Sequence, residues 1–503
     1  MSTLGIVAVL EASVTGRAVP VTTVRHIHVA DRPLVLVPLV LAGEACAPIA
    51  ALVGSDRDRP ELLVVPQPKN RTDRFRFTAE LAHLLLPYFE SFTGTSESYT
   101  TGRGSSQQER IRHLDAPQVI VPNPGGCSFL RLLGRSTRYR RTDGPYAVDA
   151  AVPRLGQWLT WLADQGEFPT SSLLAPLTRM LRAHWATGQS PTEDGNLGTL
   201  LGWIAPPEGL DGHQAARLAE DPARCPPAGP ATDPVFDRTL SELYQHIGEA
   251  VDDRHRALAL ALADRQLRTA LLTQLDPTWR QAWQSIDLLR ALPEGRSVTK
   301  RWQEDRSVFT SYAAYLADGG LPQARRDHAA GAARRLARLE DAATRYARDR
   351  AFDDPLVMAE HELLGEAATG TVTFTDPNRT LPAKRGTVLR PLVTLTVPSA
   401  GRLKPGTEVV SPARANQKAK VLTVRPLDSG GAELDLELSS GMGRAKTPTP
   451  GSVPALGDRL CYTTISAFTL PPALPDEEST PWTHGGPPAP YQPTDEDANE
   501  VWE

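Results

Sequence analysis

His26 and His28 in the stretch "RHIHVAD", with Asp31 beyond them, are the nearest this chain comes to a set of metal ligands. On a strand the two imidazoles would share one face. A metal site needs three or four convergent ligands, so an exposed strand face is the plainer expectation. Cys46, Cys127, Cys225 and Cys461 lie far apart with no CxxC pair, the pattern of reduced thiols in a cytosolic protein. "RPELLVVPQPK", Arg59 to Lys69, faintly suggests a restriction-type nuclease core, in which two acids hold a metal and a lysine assists. Gln67 stands where the second acid is needed, which leaves Glu61 alone.

Other catalytic signatures are missing or partial. A phosphate-binding P-loop needs lysine directly after glycine, and none of Lys69, Lys300, Lys384, Lys404, Lys418, Lys420 or Lys446 follows one. A standard P-loop NTPase is excluded. GxSxG, HExxH and the dinucleotide glycine fingerprint are likewise absent. "SVTK", Ser297 to Lys300, has only the spacing of a serine-lysine pair. In "QVIVPNPGGCSFLRLLGR" a strand, a glycine turn and a helix would aim the amides of Cys127 and Ser128 at an anion, or would serve only as a tight connection. No catalytic residue, metal or cofactor is assigned.

These residues need elements to hold them, and the chain of 503 residues is too long for one ordinary core. We expect an α+β multidomain protein. Residues 1–150 mix short β-branched and leucine runs with one clear helix, "FTAELAHLLLPYFESF", as an N-terminal α/β domain would. Within it "PLVLVPLVLAGEACAPIAALVG" is nearly long enough to span a bilayer, but Pro38, Pro48 and Glu44 argue for two buried strands and a turn instead. The polar "TGTSESYTTGRGSSQQER", residues 93–110, reads as a mobile loop.

Residues 151–365 read as a central helical domain, starting with "RLGQWLTWLADQG" and "LLAPLTRMLRAHWATG". A proline-rich linker breaks it at 220–234, Asp276-Pro277 reads as a helix start, and a long stalk-like helix is expected at 323–350. Trp279, Trp283 and Ile286 share one helical face and are expected in a core. From 366 to 470 short β-branched runs separated by Gly, Pro, Asn or Asp predict a small antiparallel β-barrel. The tail, 471–503, is acidic, proline-rich and expected to be disordered. The opening residues lack a basic region ahead of their apolar run, so no secretory signal is expected, and the protein is expected to be cytoplasmic with no membrane partner.

Charge is the most informative pattern. Between Arg379 and Arg425 ten basic residues face one acid, Glu408, whereas the chain as a whole has a formal net charge of −5. Only 7 of the 54 basic residues are lysine, as in proteins of arginine-rich genomes, yet four of the seven fall in this segment. An excess of cations without acids suits an anionic partner, most commonly a phosphate backbone. A solvated charged face is the alternative. The candidate contact residues are Lys384, Arg385, Arg390, Arg402, Lys404, Arg414, Lys418, Lys420 and Arg425. Aromatics there are few, chiefly Phe374, Tyr462 and Phe468, so backbone recognition is favoured over base stacking. "GRSTRYRRTDG", residues 134–144, is a second basic cluster. The tail from Asp476 carries eight acids and no Lys or Arg, so it would serve solubility, compete with nucleic acid for the barrel, or dock a partner through Trp482 and Trp502.

The order of long helix, Asp-Pro break and small basic barrel ("GTVTFTD" through "GDRLCYTTIS") resembles the stalk and barrel inserted in the motor of superfamily 1 helicases of the RNA-decay and DNA-end-processing kind. The likeness covers about residues 325–468. Since the motor motifs are absent, the resemblance implies an accessory subunit that lends a nucleic-acid-gripping module to a separate helicase or ATPase. The leading expectation is thus a non-enzymatic nucleic-acid-associated scaffold, in DNA processing or antiphage defence. Two alternatives stay open: a protein-interaction scaffold with no nucleic acid, and a metal-dependent, nuclease-like enzyme in the N-terminal domain.

Overall fold

The computed structural model describes residues 3–465, apart from 45, 103–106, 228, 253–255, 328, 384, 385, 429 and 444. Two compact units emerge. The larger comprises residues 5–21 and 25–339, the smaller 3–4, 22–24 and 340–465 of those described. The expected boundary near residue 150 falls inside the larger unit.

In the larger unit, α1 (Thr3–Thr15, shared with the smaller) precedes β1 (Val19–Pro20), β2 (Leu34–Val40), β3 (Pro48–Gly54) and β4 (Glu61–Val64). Then come α2 (Arg71–Glu90), β5 (Ser96–Thr101), β6 (Gln108–His113), β7 (Val119–Val121), α3 (Pro124–Thr137), α4 (Ala151–Gln165) and β8 (Leu174–Pro176). A mixed sheet has the order β4-β3-β2-β7-β8, antiparallel through β4, β3 and β2, parallel through β2, β7 and β8. β2 and β3 are the two buried strands expected. Their side chains are apolar on both faces because helices cover both. Pro38 is tolerated in β2 because β7 pairs only with Leu34 and Val35, so no second ladder needs its missing N–H.

The remaining helices are α5 (Leu177–Arg182), α6 (Leu197–Ile204), α7 (Gly212–Ala219), α8 (Pro234–Asp252), α9 (Arg256–Ala291) and α10 (Val298–Ala317), with β9 (Trp185–Ala186) pairing β1. One sheet face is packed by Leu81, Phe89, Phe129, Leu133, Trp158, Trp302 and Phe309 from α2, α3, α4 and α10. The other is packed by Leu177, Leu200, Leu271, Trp279 and Ile286 from α5, α6 and α9. Trp279, Trp283 and Ile286 are buried, as the helical stripe predicts.

Several local expectations change. Within the polar stretch 93–110, expected to be a loop, Ser96–Thr101 and the residues from Gln108 pair as the β5–β6 hairpin, anchored where Arg112 and Arg306 both bond Glu97 (2.7 and 2.6 Å) and Thr310 accepts the His113 N–H at 2.8 Å. α9 runs unbroken through Asp276-Pro277. One apolar face from Leu267 to Leu289 sits in a single core, which offsets the roughly 3 kcal/mol that an internal proline costs. The stretch "LLAPLTRMLRAHWATG" divides into β8, α5 and β9. The 220–234 segment is not a free excursion either, since Pro230 accepts the Val40 N–H at 2.8 Å and a Cβ on Gly229 would lie 2.4 Å from the Pro38 carbonyl oxygen.

The division between the units falls within α11 (Ala329–Asp353), which starts at Ala329 rather than 323. Asp354 caps α12 (Pro355–Leu363), whose first residue is the proline of the expected break. The Asp354 carboxylate also accepts the Thr23 N–H at 2.6 Å. The smaller unit continues with β10 (Ala367–Asp376), β11 (Thr380–Pro382), β12 (Thr387–Leu389), β13 (Leu392–Val397), β14 (Glu408–Ser411), β15 (Arg414–Pro426), β16 (Ala432–Leu438) and β17 (Arg459–Thr463). Six of these close a barrel in the order β10-β13-β16-β15-β14-β17, every pairing antiparallel. β11 and β12 form a separate hairpin. In β16, Ala432, Leu434, Leu436 and Leu438 point inward and Glu433, Asp435 and Glu437 outward. Gly370 lets β10 pass close to β13, where a Cβ would come within 2.3 Å of the Thr396 carbonyl oxygen.

Candidate nucleic-acid interface and the buried polar cluster

The barrel gives its cations two different settings. Lys418 and Lys420 alternate with buried Gln417, Ala419 and Val421 along β15, so both project outward, about 7 Å apart along the strand. With Arg402 and Lys404 on the connection before β14, they are exposed and form no ion pair among the described residues. Arg390 donates to the carbonyl of Leu389 at 3.0 Å. Lys384 and Arg385, and the aromatic Phe468, lie outside the described residues.

The other cations meet acids that the 379–425 segment does not contain. Arg425 pairs with Glu433 (3.1 Å) and Asp435, and Arg414 with Asp458 (3.6 Å). Arg379 donates to Glu437 at 2.7 Å. Lys420 itself stands between Glu408 on β14 and Glu437 on β16 in the strand register. Across residues 366–465 there are thirteen basic and eight acidic residues, so the surplus is +5 rather than +9. The seven candidates that lie among the described residues are therefore not gathered into one patch. Arg425 lies roughly 20 Å along β15 from Lys418, near the opposite strand end. The acids of β16 were legible in the alternation "AELDLEL", but their opposition to β15 depends on strand order.

Burial works to raise the Asp435 carboxyl's pKa, but the Arg425 guanidinium and the hydroxyls of Thr423 (2.6 Å) and Thr394 (2.8 Å) outweigh it and hold it at about 2. Of the aromatics, Phe374 is half exposed, whereas Tyr462 is inside the barrel with its hydroxyl 3.2 Å from Gln417 Oε1.

The histidine motif leads elsewhere. His26 is fully buried, its ring stacked 5.9 Å from that of His184. The His26 N–H donates to His184 Nε2 at 3.0 Å, so the His184 proton sits on Nδ1, 2.7 Å from the Met180 carbonyl. His28 stacks on Trp302 at 4.0 Å, and burial, aided by the charge of Arg25, lowers its pKa to about 4. Beside them Arg301 donates to the His26 carbonyl at 2.6 Å and Asp305 accepts the Ser172 N–H at 2.7 Å. Burial raises the Asp305 carboxyl to about 7, against the hydrogen bonds from Ser172 and Ser171. This cluster is a packed polar seam, not an exposed strand face, and nothing in the sequence linked His26 to a residue 158 positions away.

Among the described residues no three His, Cys, Asp or Glu side chains are grouped to hold a metal ion. Glu61 is exposed on β4. Ser297 accepts from Arg301 at 2.6 Å while Lys300 is exposed, so "SVTK" is part of a helix start. In the "PNPGG" turn, Asn123 caps α3 by accepting from the Gly126 N–H (3.4 Å) and donating to the Gly229 carbonyl (2.6 Å). A Cβ on Gly125 would meet Pro230 at 2.7 Å. The turn is thus a tight connection closed by the chain itself. Among the described residues no helix is long and apolar enough to cross a membrane.

Comparison with protein-family models, curated proteins and solved structures gave no match.

Proposed function

We propose that the barrel unit grips the phosphate backbone of nucleic acid without reading base sequence, and that the chain works as a non-enzymatic accessory to a separate helicase or ATPase. The observation that carries this reading is the pair Lys418 and Lys420, side by side on the outer face of β15, exposed and without an ion-pair partner among the described residues. Arg402 and Lys404 add two further exposed cations in the same unit. Lysine ammoniums in this setting bind phosphates through counterion release and give no base preference.

The test is fluorescence anisotropy of labelled single- and double-stranded DNA and RNA against salt concentration. Proteins to compare are the full chain, K418A/K420A, and a chain ending at Leu474. Binding that weakens steeply with salt is expected, and the double variant should flatten the log–log slope by about 1.5. Stronger binding by the shortened chain would assign the acidic tail an inhibitory role. No binding by any of the three at low salt would overturn the reading and favour a scaffold that docks an acidic protein.

A further inference from the structure

We infer that the larger unit carries a second, unrelated anion site, an arginine-lined cleft that takes a small polyphosphate. The cleft, of about 580 Å³, lies between the C-terminal half of α3, the end of α4, residues 323–327 and the first turns of α11. Six arginines line it: Arg131, Arg135, Arg138, Arg325, Arg335 and Arg338. Against them stand three acids, Asp164, Glu167 and Asp327, which leaves a surplus of three positive charges.

The acids are committed to the wall. Arg335 bonds Asp164 at 2.9 Å and also Glu167, lies 3.9 Å from Asp327, and shares Glu167 with Arg131. Arg138, almost completely buried, gives its donors to the carbonyls of Gln323 (2.9 Å), Arg135 (2.8 Å) and Ala324 (3.5 Å), and so holds the 323–327 segment in place. Arg135 and Arg338 are exposed and meet no carboxylate among the described residues. Two exposed guanidinium forks, of which Arg135 gives one donor to the Arg325 carbonyl at 3.3 Å, stand above a fixed, cationic floor, the arrangement that bidentate phosphate recognition uses.

The floor is also rigid. α3 and α4 cross at glycines, since a Cβ on Gly134 would lie 2.7 Å from the Thr160 nitrogen and one on Gly156 would lie 2.4 Å from the Arg138 nitrogen. Such close approach sets Arg131, Arg135 and Arg138 at a fixed distance from Asp164 and Glu167. No aromatic side chain lines the cleft, so the ligand is recognised by its phosphates alone. That chemistry is shared by inorganic polyphosphate, by a nucleoside triphosphate and by a nucleic-acid backbone.

Calorimetric titration of the full chain with inorganic tripolyphosphate is the test, with ATP and a 20-residue oligonucleotide as further arms. One saturable site is expected for tripolyphosphate, with sulfate at equal ionic strength a poor competitor. R135A/R338A should weaken it at least about tenfold while leaving the thermal melt nearly unchanged, because both side chains are exposed and only the long Arg135 bond to the Arg325 carbonyl is lost. K418A/K420A should retain it fully, which separates this site from the barrel. Equal affinity for ATP would mark a free polyphosphate ligand, whereas binding of the oligonucleotide alone, lost in R135A/R338A, would overturn the small-polyphosphate ligand in favour of a nucleic-acid backbone. Absence of saturable binding by all three ligands, or affinity untouched by R135A/R338A, would overturn the inference.

Discussion

Arg379 and Glu437, 58 residues apart in the chain, are joined by a hydrogen bond of 2.7 Å on the outside of the barrel, and Glu437 also faces Lys420 in the strand register. One acid thus pairs with one cation of the candidate interface and stands across the ladder from a second. Glu437→Gln keeps an acceptor for Arg379 but removes the charge. It should raise nucleic-acid affinity severalfold at low salt, an effect that disappears near 0.5 M salt as screening shortens to about 4 Å. Anisotropy titrations at two salt concentrations check this.

The Arg425–Asp435 pair makes the barrel acid-sensitive. The Asp435 pKa, held at about 2 in the folded protein, lies below its ordinary value. The stabilisation is complete above about pH 4 and is lost as pH falls toward 2. Arg425→Ala should therefore lower the melting temperature at pH 6 and make little difference at pH 2. Thermal melts across that range read the crossover.

Asp305 and His28 oppose each other in the larger unit. The raised Asp305 carboxyl, at about 7, makes stability fall as pH rises from about 4 to 7, whereas the lowered His28, at about 4, makes stability rise from about 4 to 6.5. Together they flatten the profile in the acid range. Asp305→Asn should unmask the His28 slope, and it should make the protein more stable than the wild type at pH 8, by on the order of a few kcal/mol. Urea melts at pH 5, 6.5 and 8 would show it. A variant no more stable than the wild type at pH 8 would sink this account.

Gly156 admits no side chain without moving α3. Gly156→Ala should cost about 1–3 kcal/mol and should weaken tripolyphosphate binding as the helices separate. Replacing the exposed Lys300 with Ala is expected to leave both unchanged. Denaturant melts and calorimetry on the two variants make the comparison.

Much of this was legible locally. The period-two runs of β10 to β17, the proline at the start of α12 and the apolar stripe of α9 follow from alternation, capping and helical spacing, which act within a few residues. Even the raw material of the cleft is visible, since Arg131, Arg135 and Arg138 repeat at helical spacing, as do Asp164 with Glu167 and Arg335 with Arg338. Local signals failed where polar composition concealed pairing, as in the β5–β6 hairpin, and where packing overrode a breaker, as at Pro277.

What only the tertiary structure decided is which charges meet. The sequence alone determined that residues 379–425 are rich in cations. Strand order placed Glu433, Asp435 and Glu437 beside β15, where Arg425 is neutralised, while Lys418 and Lys420 form no ion pair among the described residues. Likewise two arginine-bearing segments far apart in the chain, 131–138 and 325–338, enclose one cleft with the end of α4, where Gly134 and Gly156 let two helices nearly touch. Coulomb interactions depend on distance in space, and that distance is set by nonlocal packing that no short-range pattern encodes.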